Sequence, residues 1–200
     1  MWTLLIVLGV LLLPVLLVGG YAISQYNTLV QLENRYENAY SQIDVQLKRR
    51  YDLIPNLVET VKGYLDHERE TLEAVTQARN QAMQANEKAS SQPGNPEAME
   101  QLNAAESMLS SSLGRLMVVA EDYPDLKANE SVGQLMEELR STENKISFAR
   151  QSFNDAVTRY NTARESFPTN LIANAFNYNQ AELFEIDTAE ERQAPDVSFS

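Results

Sequence analysis

Any chemistry in this chain would have to run through one imidazole and a set of carboxylates. The 200 residues contain no cysteine and a single histidine, His67. Without cysteine there is no thiol nucleophile, disulfide framework or zinc–thiolate site. His67 sits in Asp66-His67-Glu68-Arg69-Glu70. A phosphotransfer histidine on a helical bundle wants lysine and glycine around the phosphoryl group, and these carboxylates would repel it. A solvated histidine in a first helical turn is the plainer reading, so phosphotransfer through His67 stays a residual alternative. Carboxylate dimetal sites in bundles need Glu-x-x-His from two helices, a pattern absent here. Calcium loops and phosphate loops are absent too. No catalytic, cofactor-binding or metal-binding set is expected, and the chain reads as a non-enzyme.

Charge narrows the partners. The net charge is −12, which argues against nucleic acid, where phosphates demand clustered Lys and Arg. It also disfavours broad contact with anionic headgroups. The exception is the basic run Lys48-Arg49-Arg50. Lys48 fits a solvated helix face. Arg50 lies seven residues beyond Ile43 in the apolar series Leu29, Tyr36, Ile43, so it falls in the seam. There it needs an acid, because lost hydration is costly.

The elements that position these residues are helical. No charged side chain occurs from Met1 to Leu32, and Trp2–Ile23 is almost continuously apolar. About 20 apolar residues suffice to span a bilayer, and Trp2 and Tyr21 bracket the run as interface aromatics would. A cleaved signal peptide would want a basic n-region and a small-residue cleavage site; neither is present, so the segment should stay in the mature protein. Residues 1–23 are therefore expected to anchor the chain, with residues 2–23 in the lipid bilayer. Lys and Arg near the anchor lie on its C-terminal side, which favours a cytoplasmic domain under the positive-inside rule. A periplasmic domain is the alternative.

Breaks divide the remainder. Gly63 stops a first helix, with Asp66 available to cap the next. Pro93-Gly94 marks a turn, and Asn95-Pro96 restarts a helix as cap and first residue. Tyr123-Pro124 ends it, Asn129 caps the last long helix, and Pro168 closes that one. Helices near 24–62, 66–89, 96–122 and 130–167 run long, short, short, long. The expectation is an all-α chain: a transmembrane helix, then an up-down-up-down four-helix bundle. The alternative is one long stalk over 24–89 with a smaller helical head. The corresponding domains are 1–23 anchor, 24–167 bundle, 168–184 short helix and connector, and 185–200 acidic flexible tail.

This architecture makes residue-level expectations. If the outer helices are antiparallel, Arg50 faces residues near ~141 or 142, within the few-residue uncertainty of helix ends, and Glu143 is the acid there. Pro55 should bend the first helix without ending it, since it removes the bond to the Tyr51 carbonyl while the seam keeps phase to Val61. Asn144, Asn154 and Asn161 are candidates for setting register across the bundle. Tyr51, Met83 and Met117 fall off the seams and could mark a self-association surface.

The run from Ile43 to Tyr64, with Arg49-Arg50-Tyr51-Asp52-Leu53-Ile54-Pro55-Asn56 at its centre, resembles the signature of the LemA family. Tyr26-Asn27, Tyr123-Pro124-Asp125-Leu126-Lys127-Ala128, Thr142-Glu143-Asn144, Ala149-Arg150 and Tyr160-Asn161 extend the likeness over Tyr26 to about Phe184. Phe153-Asn154 stands where the family often has Tyr-Asn, and the acidic tail is outside the pattern. The resemblance implies a helical bundle behind an N-terminal anchor in the bacterial inner (cytoplasmic) membrane. Its relatives are associated with magnetosome membranes and, by gene neighbourhood, with membrane metalloproteases. The expected function is a membrane-anchored structural scaffold of the bacterial envelope, acting through coiled-coil-like helix contacts as a homo-oligomer. An adaptor or regulator of a membrane protease is the alternative.

Overall fold

The computed structural model describes residues 2–65 and 68–185; the side chains of residues 4–10, 125 and 127 are outside that description. Asp66, His67 and the tail from residue 186 onward also lie outside it, and with them the expected Asp66 cap and the His67 site. Among the described residues every regular element is a helix: α1 (Trp2–Lys62), α2 (Arg69–Ser91), α3 (Pro96–Glu121), the single turn α4 (Pro124–Lys127), α5 (Glu130–Glu165) and α6 (Thr169–Ala175).

The ends follow local chemistry. The Asn95 side chain accepts from the Ala98 amide with Pro96 at the first helical position of α3, and Asn129 accepts from the Ser131 and Val132 amides at the start of α5. These caps satisfy amides that lack intrahelical partners. Gly94, between α2 and α3, has φ +79°, a conformation that glycine takes without a Cβ penalty. A Cβ there would lie 3.0 Å from Ala181 and 3.1 Å from the Tyr36 ring, so the site is closed to side chains on both counts.

α1 is one helix through Pro55. The stalk alternative is not what forms. α1 stops at Lys62, and α2 runs back along it, with the Tyr40 hydroxyl donating to Asn86 (2.8 Å) and Asn86 donating to Asp44 (2.7 Å). α5 lies antiparallel along α1, where Tyr36 and Tyr40 meet Phe153 edge-on and Tyr36 meets Tyr160. α2 and α3 form a second close pair. α3 and α5 make no extensive helix–helix contact. The extended segment after α6 bridges them at one level, and a cleft separates them at another.

Among the described residues no helix is long and apolar enough to cross a membrane. The anchor expectation rests on the whole run Trp2–Ile23. Residues 4–10 are outside the described side chains, and the part that remains is shorter than the ~20 residues a span needs.

The seams place most apolar residues as their spacing predicts, with two corrections. Tyr51 is not a surface residue; it is 2% exposed and belongs to the core. Phe167, seven residues beyond Tyr160 and in phase with the apolar series Ile146, Phe153, Tyr160, is 80% exposed. α5 ends at Glu165 and Ser166 turns extended ahead of Pro168, so Phe167 leaves the helical phase that would have buried it.

Candidate functional site

The centre of the molecule is a charge network on α1. The same seam that buries Leu47, Ile54 and Leu57 buries Arg50 completely. Its Nη2 donates to the Glu106 carboxylate on α3, and its Nη1 donates to Glu143 Oε2 on α5 at 2.5 Å. Glu106 is also fully buried, whereas the Glu143 side chain is 50% exposed. The second Glu106 oxygen accepts from the Tyr51 hydroxyl. So the geometry brings together Arg50 and Glu143, but the buried counter-charge is Glu106. The sequence expectation missed it, although a signal was present. Met99, Leu102, Leu109, Leu113, Leu116 and Ala120 step by threes and fours, with one vacancy between Leu102 and Leu109. Glu106 fills that vacancy, an acid in one seam answering an arginine in another.

Electrostatics favour a fixed rather than a reactive constellation. Burial pushes the Glu106 carboxyl up, and the Arg50 guanidinium and Tyr51 hydroxyl oppose that push. Desolvation works against the Arg50 charge, but Glu106 and Glu143 outweigh it and hold its pKa above the usual value. Burial and the Glu106 carboxylate drive the Tyr51 phenol well above its ordinary pKa. Tyr51 is then a donor, not a base, and the Arg50 guanidinium is paired with two carboxylates, although its buried Nε makes no hydrogen bond. Among the described residues no three His, Asp or Glu gather as a metal site.

Pro55 adds a second connection. Lacking an N–H, it frees the Tyr51 carbonyl, and Arg79 Nε of α2 donates to that carbonyl at 2.8 Å. The proline thereby converts an intrahelical acceptor into an interhelical one. Arg79→Ala should strand this carbonyl and cost roughly 1.5–3 kcal/mol, the range for bonds to charged groups. In a Pro55→Ala background the new amide can take the carbonyl, so the same change should cost much less. A double-mutant cycle by thermal denaturation checks the coupling; equal losses in both backgrounds would refute it.

The expected register asparagines separate. Asn144 is exposed and takes no such role, because the buried position on that turn of α5 is Thr142. Asn154 and Asn161 form bidentate pairs, but to the C-terminal segment rather than to a helix. Asn161 Nδ2 donates to the Ala181 carbonyl (2.8 Å) while Oδ1 accepts the Ala181 amide (3.0 Å). Asn154 does the same with Phe184 at 3.1 and 2.9 Å. Asn103 of α3, which no sequence pattern singled out, binds the carbonyl of Leu183 and the amide of Glu185. Residues 177–185 thus form an extended strap whose backbone is read by three side-chain amides and whose Ala181 and Phe184 are buried.

The cleft between α3 and α5 has a volume of about 330 Å³, with Leu113, Met117, Met136 and Leu139 among its apolar lining and Arg50 and Glu143 among its polar lining. A larger groove of about 790 Å³ lies between α1 and α2, beside Val58, Leu65, Leu72 and Thr76. Among the described residues, neither lining includes a histidine or a cysteine.

Comparison with known proteins gives the same picture of kinship. Protein LemA of Metamycoplasma hominis is 28% identical over 180 residues, covering 85% of this chain and 77% of the relative. Magnetosome protein MamQ 2 of Paramagnetospirillum magneticum is 24% identical over 176 residues, 80% of this chain and 65% of that protein. Magnetosome protein MamQ of Magnetospirillum gryphiswaldense is 24% identical, with 80% and 64% covered. The chain therefore spans slightly less than two thirds of the magnetosome relatives. The LemA family profile matches residues 39–199, taking in α2 to α6 and the part of α1 that carries Arg50, Tyr51 and Pro55. On that match the chain belongs to the LemA family.

Proposed function

We propose that this protein is a membrane-anchored, non-catalytic scaffold of the bacterial cell envelope, working through helix–helix contacts with copies of itself. The observation that carries the reading is α1. One helix joins the apolar N-terminal run to the buried Arg50 layer without a break, so the domain is held at a fixed axis to its anchor. At ~1.5 Å per residue such a helix is about 90 Å long, a strut rather than a linker. The buried Arg50–Glu106 pair supports a structural role, and family membership and the magnetosome relatives support membrane association. In this reading residues 2–23 span the inner membrane once, α1, α2, α3 and α5 act as a four-helix bundle, and the bundle lies on the cytoplasmic side.

The test starts from native membranes. The full chain should resist carbonate extraction and run in gentle detergent as one homogeneous species larger than its 22.5 kDa monomer. A stoichiometric second protein in that species would favour an adaptor, for instance of a membrane protease. A monomer alone would overturn the scaffold. Ser198→Cys, in a chain without cysteine, should resist an impermeant thiol reagent in intact cells; ready labelling would put the domain outside.

A further inference from the structure

Two stretches of this acidic chain carry no charge at all: Met1–Leu32 and Ser166–Ala181. They are distant in sequence and adjacent in space. The Thr169 hydroxyl of α6 donates to Gln25 of α1 at 3.0 Å. The Tyr26 ring meets Phe176 at 4.9 Å and Tyr178 at 5.9 Å between centroids. α6 packs on α1 and α5 through its buried Thr169 and Ala173. Its other side and its flanks leave Phe167, Leu171 and Phe176 at 80%, 60% and 61% exposure. Scattered exposed apolar residues are ordinary, but a charge-free cluster of large ones marks an interaction surface.

The place of the cluster identifies what covers it. It meets α1 at Gln25 and Tyr26, immediately after the apolar run that ends at Ile23. Charge resumes at Glu33 on α1 and at Arg164 and Glu165 on α5, where Arg164 Nε donates to the Tyr178 carbonyl at the edge of the cluster. Aromatic side chains beside a membrane helix match the headgroup level of a bilayer. We propose that α6 and its flanks, residues 166–178, form an interfacial collar that dips into the same bilayer that holds the N-terminal helix. This rests on the anchor reading above. With no basic residue in the collar, the contact is apolar and aromatic, and it needs no anionic lipid. It gives the domain a second point of attachment and so fixes how the bundle stands on the membrane.

The experiment uses the full chain reconstituted in phosphatidylcholine vesicles with bromine on the acyl chains. Trp2 is the only tryptophan, so in the natural chain its quenching reports the anchor by itself. In a Trp2→Phe background, tryptophan is placed singly at Phe167, Leu171 and Phe176, with Phe148 on α5, 72% exposed, as the control. The collar positions should emit at blue-shifted wavelengths and be quenched most by bromines near the headgroup, while the Phe148 position stays unquenched. Collar tryptophans that are unquenched while Trp2 is quenched overturn the collar and leave the anchor standing. Blue-shifted but unquenched collar tryptophans also overturn it, because the cover would then be protein. An unquenched Trp2 rejects the anchor separately, whatever the collar does.

Discussion

Glu106→Gln should lower the melting temperature of the full chain far more than Glu143→Gln. Both carboxylates bind the Arg50 guanidinium, but only Glu106 is fully buried with it. Neutralising Glu106 leaves a buried cation whose remaining carboxylate is half in water. Breaking a buried pair from one side costs roughly 3–5 kcal/mol. At ~2–4 °C per kcal/mol for a chain of this size, the shift is on the order of 10 °C. Tyr51 also loses its charged acceptor, which pushes the loss towards the upper end. Glu143 is screened, and its removal leaves the Arg50–Glu106 pair intact, so about 1 kcal/mol or less is expected. Arg50→Met combined with Glu106→Leu should recover much of the single-mutant loss, since apolar replacements of similar size remove both desolvated charges at once. Equal costs for the two glutamines, or strictly additive losses in the double variant, would contradict this layout.

Asn161→Leu should release the strap while leaving the helices in place. The substitution removes a donor and an acceptor together and strands both backbone groups of Ala181. Each stranded buried group costs about 1–3 kcal/mol. The chain can limit that cost by letting the strap open to water, so the loss saturates at the free energy that docks residues 177–185. Hydrogen exchange is the direct readout. Amides at Ala181 and Phe184 should exchange at least on the order of tenfold faster, a change of ~1.4 kcal/mol, with the middles of α1 and α5 still protected. Asn154→Leu should act the same way at Phe184. Asn144→Leu, on the exposed side of α5, should change neither. If the whole molecule lost protection together, the strap would be part of the cooperative core rather than a separately docked segment.

The helix boundaries are legible in the sequence because their signals are local. Asn95 with Pro96, Asn129, Pro124 and Pro168 act on amides and dihedrals within one turn, so no distant partner is needed to predict them. The same holds for the burial of Arg50, which follows from its phase with Leu47 and Ile54 along a single helix. What Arg50 binds is a different matter. Phase says that a charge is buried; only the arrangement of α3 and α5 around the Arg50 side chain decides which acid reaches it. Antiparallel reasoning located Glu143, on the helix that lies along α1, and overlooked Glu106 across the middle of the molecule. The strap was not legible at all. An extended segment has no 3.6-residue period, and its backbone is satisfied by side chains 14 to 82 positions away. The collar divides the same way. Composition alone reveals two uncharged stretches, but their meeting depends on α5 running back along α1 to return residue 169 to the level of residue 25, a distance that only the tertiary structure closes.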